Sequence, residues 1–171
     1  MGIFKRRRVA VIAIAAVALV LAGAGVAVAA TTVKSGTTVT RVAVLTENVA
    51  SVYSGGAFVT IGSQGIFAGA GSVIVATFSA ESACYNAVGY CSVRILIDGV
   101  EAEPVAGLDF AFDSTDANRE TSQSWESHSM QRTRAVAATG GHSVVVQVAQ
   151  VGAGVFSRYD DWTLSSWAIA P

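Results

Sequence analysis

Proline is nearly missing from this 171-residue chain; it stands only at positions 104 and 171, so no Pro-rich linker divides the sequence. Cysteine and histidine occur twice each. With so few histidines and no His-Glu-x-x-His, ligand type and spacing do not point to zinc. Beyond residue 30 no segment repeats apolar residues at i, i+3, i+4 and i+7 for three turns, which excludes a helical bundle. No Gly-x-Ser-x-Gly elbow is present, the nearest approach being Gly62-Ser63-Gln64-Gly65. Gly69-Ala70-Gly71 and Gly152-Ala153-Gly154 do not fall on strand-to-helix turns, where glycines cradle phosphate.

What is there begins with the N-terminus. Lys5, Arg6, Arg7 and Arg8 precede an apolar run to Ala30 that ends in small residues, the order of an export signal. The run also reaches the roughly 20 residues a membrane anchor needs. Its Ala/Gly-rich make-up and the Ala27-x-Ala29 and Val28-x-Ala30 pairs favour cleavage over anchoring. Residues 1–30 are therefore read as a signal peptide, 31–36 as a flexible lead-in and 37–171 as one domain. The expected location is secreted and extracellular, the alternative a membrane-anchored protein facing outside. Past the signal, seven basic side chains face twelve acidic ones, a balance that argues against nucleic acid as a partner. In an oxidising compartment Cys84 and Cys91 should form a structural disulfide. Their spacing is not Cys-x-x-Cys and no histidine is close, which speaks against a redox or metal pair. Heavy Ala, Val and Gly usage, with nine Arg to two Lys, suits a bacterial protein from a GC-rich genome.

Short Val/Ile/Thr/aromatic runs separated by Gly, Ser, Asn and Asp give the texture of an all-β sandwich. Expected strands are Thr37 to Leu45, a short strand after the Gly55-Gly56 break within Tyr53 to Ile61, Ser72 to Ser79, Cys91 to Ile97, Val100 to Glu103, Gly107 to Phe112, Trp125 to Ala138, His142 to Val151 and Trp162 to Ile169. Asp98-Gly99 between two such runs marks a type I′ hairpin, because both central residues need positive φ. Gly62 to Gly71, Asp113 to Ser124 and Gly152 to Asp161 read as loops. The apolar phase changes between Leu164 and Trp167, which predicts a bulge near Ser165-Ser166. The fold expected is a single antiparallel β-sandwich, jelly-roll-like, with an immunoglobulin-like sandwich as the alternative.

Candidate binding residues are Tyr85 and Tyr90 on the cysteine loop, Asp113 and Asp116 on the polar loop with Trp125 just after it, and Tyr159, Asp160 and Asp161 on the late loop. The carboxylates could form a glycosidase-type pair if the loops share an end, and Asp113-x-x-Asp116-x-Asn118 could offer oxygen to calcium. Solvated loop acids are the commoner case. The aromatics could stack on sugars or pack as core. His128 and His142 read as a strand and a turn histidine. No cofactor, no metal and no catalytic residue is expected.

The final third, GGHSVVVQVAQVGAG followed by SRYDDWTLSSWAIA, resembles secreted bacterial β-sandwich proteins. It is also loosely similar to jelly rolls of the complement-globular and tumour-necrosis-factor-like type, where a Gly-bounded hairpin precedes a closing apolar strand. The resemblance covers Trp125 to Ile169. It implies the fold and a trimeric or partner-binding habit, and carries over no catalytic residue. The expected function is an exported, non-enzymatic binding or structural module with an extracellular protein or glycan as partner and a possible homo-oligomeric state. A carbohydrate-binding module and a secreted hydrolase using loop carboxylates are the alternatives.

Overall fold

The computed structural model describes residues 33–117 and 119–171; the expected export signal and Asn118 lie outside them. Its strands are β1 Thr38–Glu47, β2 Ser51–Ser54, β3 Val59–Ala68, β4 Val73–Tyr85, β5 Tyr90–Ile97, β6 Val100–Glu101, β7 Ala111–Ser114, β8 Glu126–Ala135, β9 Gly140–Val151 and β10 Phe156–Ala170. One sheet runs β1-β10-β4-β8, with β2 also on β10; the other runs β3-β9-β5-β6, with β7 also on β5. Every pairing between these strands is antiparallel. Successive strands cross between the sheets at β2–β3, β3–β4, β4–β5, β7–β8, β8–β9 and β9–β10. That alternation is the double Greek key of a jelly roll. An immunoglobulin-like sandwich would place β4 and β5 in one sheet as a hairpin.

Alternation along each strand fills the space between the sheets. β4 turns Ile74, Ala76, Phe78 and Ala80 inward, and β9 answers with Val144, Val146 and Val148. Phe78 lies at the centre, its ring 5.6 Å from Phe112, 6.3 Å from Tyr159 and 5.9 Å from Trp162. The expected Asp98-Gly99 turn is present, with φ of 54° and 76° joining Ile97 to Val100.

Four sequence expectations need correction. Gly62 to Gly71 is largely strand, not loop, because β3 runs through Gly62 and Gly65. Gly62 leaves room for an indole: a Cβ there would lie 2.7 Å from Cη2 of Trp162. Gly107 to Phe112 is not one strand but a 3₁₀ turn, Gly107–Asp109, followed by β7. The late loop is only the turn Gly152–Val155, and β10 continues through Asp160 and Asp161. Its bulge falls between Asp160 and Thr163, not at Ser165-Ser166, and Asp161 takes a φ of 42° there. Inward positions accordingly switch from Ser157 and Tyr159 to Trp162, Leu164, Ser166 and Ala168. Trp162 plugs the core, while Trp167 stands half-buried outside it.

The β5–β6 turn also carries a charge pair. Nδ1 of His142 lies 2.7 Å from Oδ2 of Asp98, and the Ser143 amide donates to Oδ1 at 3.0 Å. Burial pushes the Asp98 carboxyl up, but the His142 and Ser143 hydrogen bonds and the charges of His142 and Arg134 outweigh it. Its pKa ends below the usual 3.8. A depressed folded pKa gives stability that is present above the unfolded pKa and lost as pH falls through the folded value. Asp98→Asn, which tolerates the same positive φ, should therefore be less stable than wild type at neutral pH. The gap should close as pH drops below 3.8. Urea unfolding across that range measures it; a gap constant with pH would refute the linkage.

Candidate functional site

Four connections meet at one end of the sandwich. The register pairs Tyr90 with both Ser114 and Val151, Tyr85 with Phe156, and Phe156 with Ser54. The β2–β3, β4–β5, β7–β8 and β9–β10 connections therefore share this rim. They are tied to one another. Gly89 N–H donates to Oγ1 of Thr115 at 2.9 Å, Nδ2 of Asn86 donates to the Gly154 carbonyl at 2.8 Å, and Gln150 N–H donates to the Gly55 carbonyl at 3.1 Å. The Cys84–Cys91 disulfide, with Cα atoms 5.8 Å apart, crosses from β4 to β5 and so from sheet to sheet. Both cysteines are buried.

The sequence candidates divide accordingly. Tyr85, Tyr90 and Trp125 lie half-buried and Asp116 exposed at this rim. Tyr85 and Phe156 are cross-strand neighbours whose rings are 22° from parallel with centroids 5.9 Å apart. Trp125 lies under the Arg158 guanidinium at 4.6 Å, and Arg158 donates to the Ser122 carbonyl at 3.2 Å. Asp116 pairs loosely with Arg119 at 3.8 Å and does not join Asp113 in an oxygen cage, because Asp113 is buried and turned inward. Tyr159 is no rim residue but core. Asp160 and Asp161 sit in mid-strand at the β10 bulge. There Asp161 lines an open pocket of about 370 Å³ with Glu47, Asn48 and Trp162.

One polar cluster lies between the sheets just beneath the rim. Ser82 of β4 donates from Oγ to Oδ2 of Asp113 at 2.7 Å and stands 3.0 Å from Nδ1 of His128. Nε2 of His128 is 3.4 Å from Oε2 of Glu126. The ring of Phe112 packs against His128 at 5.5 Å. Tyr159 pairs with Ser82 in the β4–β10 register and faces the same layer. Burial pushes its hydroxyl far above the ordinary phenol range; the nearby Ser157 opposes this, and Asp113 and Tyr53 add to the rise. Ser157 is itself engaged by Nε2 of Gln150 at 2.6 Å. Among the described residues the Tyr159 hydroxyl is the buried side-chain atom left without a hydrogen-bond partner. An unsatisfied buried hydroxyl costs about 1–3 kcal/mol. Tyr159→Phe should therefore raise stability by about 1 kcal/mol in chemical denaturation. A loss of stability would show that the hydroxyl is satisfied.

The sequence reading took Glu126 only as a carboxylate following the polar loop and His128 as a strand histidine. The available signal was their i, i+2 spacing on a strand, which puts both on one face. Nothing local announced that Ser82 and Asp113 would meet them from two other strands. Compared with known proteins, the chain matches no family model and no curated sequence.

Proposed function

We propose that the protein is an exported module that acts by binding and presents the four-loop rim to an extracellular partner. The observation that carries this reading is the convergence of loops held to one another by hydrogen bonds and a buried disulfide. A rim fixed in advance loses little conformational entropy when a partner docks. The disulfide suits an oxidising compartment, and among the described residues no helix is long and apolar enough to cross a membrane. Kinship with secreted jelly rolls of the complement-globular and tumour-necrosis-factor-like type, and a homo-oligomeric state, belong to the same proposal.

A specific observation favours a saccharide as that partner. Tyr85 and Phe156 offer two partly exposed rings stacked on one another, aromatic surface of the kind against which a sugar face packs. On a glycan array, and in tryptophan-fluorescence titrations with polysaccharides, wild-type protein should bind and Tyr85→Ala/Phe156→Ala should not. No response to any glycan would remove the saccharide reading. Chemical cross-linking that captures an extracellular protein through the opposite end of the sandwich, around Gly99 and Thr139, would remove the rim itself.

A further inference from the structure

We propose that Asp113, Glu126 and His128 form a binding site for a divalent transition-metal ion of the zinc type. One carboxylate oxygen from each acid and one ring nitrogen of the histidine all lie within 4.8 Å of one another. The ligands come from opposing sheets, Glu126 and His128 from one face of β8 and Asp113 from β7, so an ion would clamp the sandwich beneath the rim.

The hydrogen bonds set the histidine up for this task. Ser82 has a single hydroxyl proton and donates it to Asp113. Its oxygen then accepts from the Nδ1–H of His128 at 3.0 Å. That arrangement leaves the lone pair of a neutral imidazole on Nε2, which faces the Glu126 carboxylate. Two acceptors 3.4 Å apart repel unless a cation lies between them. Two ligands of a tetrahedral zinc ion with bonds of about 2.0–2.1 Å are separated by roughly 3.4 Å. Ser82 thus acts as an outer support that fixes the tautomer of the histidine.

A second observation is independent of the cluster's own bonding. The fully buried Tyr159 hydroxyl, without a partner, faces the same inter-sheet layer from β10. Three protein ligands leave a fourth position for water. The histidine selects a transition metal over calcium or magnesium, which take oxygen ligands. Two carboxylates balance the charge. The Glu126 side chain is 61% exposed and that of His128 29%, so an ion can enter from solvent.

The inference stands apart from whatever the rim binds. Chelator-stripped protein titrated with zinc sulfate in a calorimeter should take up one ion per chain. Glu126→Gln and His128→Gln should each weaken binding about tenfold or more, while Asp116→Asn, an exposed rim acid, should not change it. Cobalt(II) in place of zinc should give the visible absorption of a four-coordinate ion, lost in His128→Gln. Because Glu126 is largely exposed, its variant keeps the test valid should His128→Gln misfold. The assignment is overturned by no uptake of zinc or cobalt, which would leave an ion pair between a protonated His128 and Glu126. It is equally overturned if both variants bind as wild type does, or if calcium binds as tightly as zinc.

Discussion

Gly89→Ala should cost about 3 kcal/mol or more of unfolding free energy, the upper end of what overpacking does. A Cβ at this position would overlap the Val151 carbonyl oxygen and come within 2.7 Å of Cγ2 of Val155. The first obstacle is backbone, which cannot swing aside as a long side chain can. Gly152 faces it with the mirror problem: its φ is 120°, and a Cβ there would lie 2.5 Å from the Val88 carbonyl oxygen. The β4–β5 and β9–β10 connections therefore meet backbone to backbone, glycine against glycine, and neither can take a side chain without parting the rim. Gly140→Ala supplies the control. Nothing lies within 4 Å of its Cβ position and its φ is ordinary, so its effect should stay within about 0.5 kcal/mol. Urea or guanidinium unfolding of the two variants beside wild type measures the difference. Equal midpoints would mean that the rim gives way at no cost. If the rim is the recognition surface, a Gly89→Ala protein that still folds should also lose its partner.

Much of the sandwich could be read from local chemistry. Asp98-Gly99 announced its hairpin because positive φ at two successive residues selects those residue types. Val144, Val146 and Val148 announced an inward face by strict alternation. The errors share one cause, which is tertiary contact overriding local pattern. Gly62 and Gly65 made β3 look like a loop, yet Gly62 is small because Trp162 from the other sheet lies against it. The polar Ser157-Arg158-Tyr159-Asp160-Asp161 run hid the first half of β10, whose outward residues pair with Trp125 and the solvent. The parity change from Trp162 and Leu164 to Trp167 and Ile169 suggested a bulge near Ser165-Ser166, but the register shifts earlier, at Asp161. The cluster was the least legible part. Ser82, Asp113 and His128 come from three strands and two sheets, and only the jelly-roll order brings them together.

Replacing Cys84 and Cys91 together by alanine should lower stability by about 2.5 kcal/mol, the loop-closure value for a bridge this short. Because native domains of this size hold about 5–15 kcal/mol, the variant should remain folded, so its consequences can be read in the native state. They should be local. Cys91 is the register partner of Asp113, and Cys84 lies two residues beyond Ser82 on the same face of β4. The bond therefore fixes the gap between the sheets at the level where Ser82 holds Asp113 at 2.7 Å. Hydrogen exchange should quicken at the amides of residues 84–91 and 113–115, while those of Val144 to Val148 at the centre of β9 keep their protection. Since both sulfurs are buried, reductant should act on wild type only as fast as this end opens, and should then bring it to the stability of the alanine pair. A global rather than local rise in exchange would mean that the disulfide secures the whole sandwich. No change at 113–115 would mean that the two sheets keep their spacing there without it.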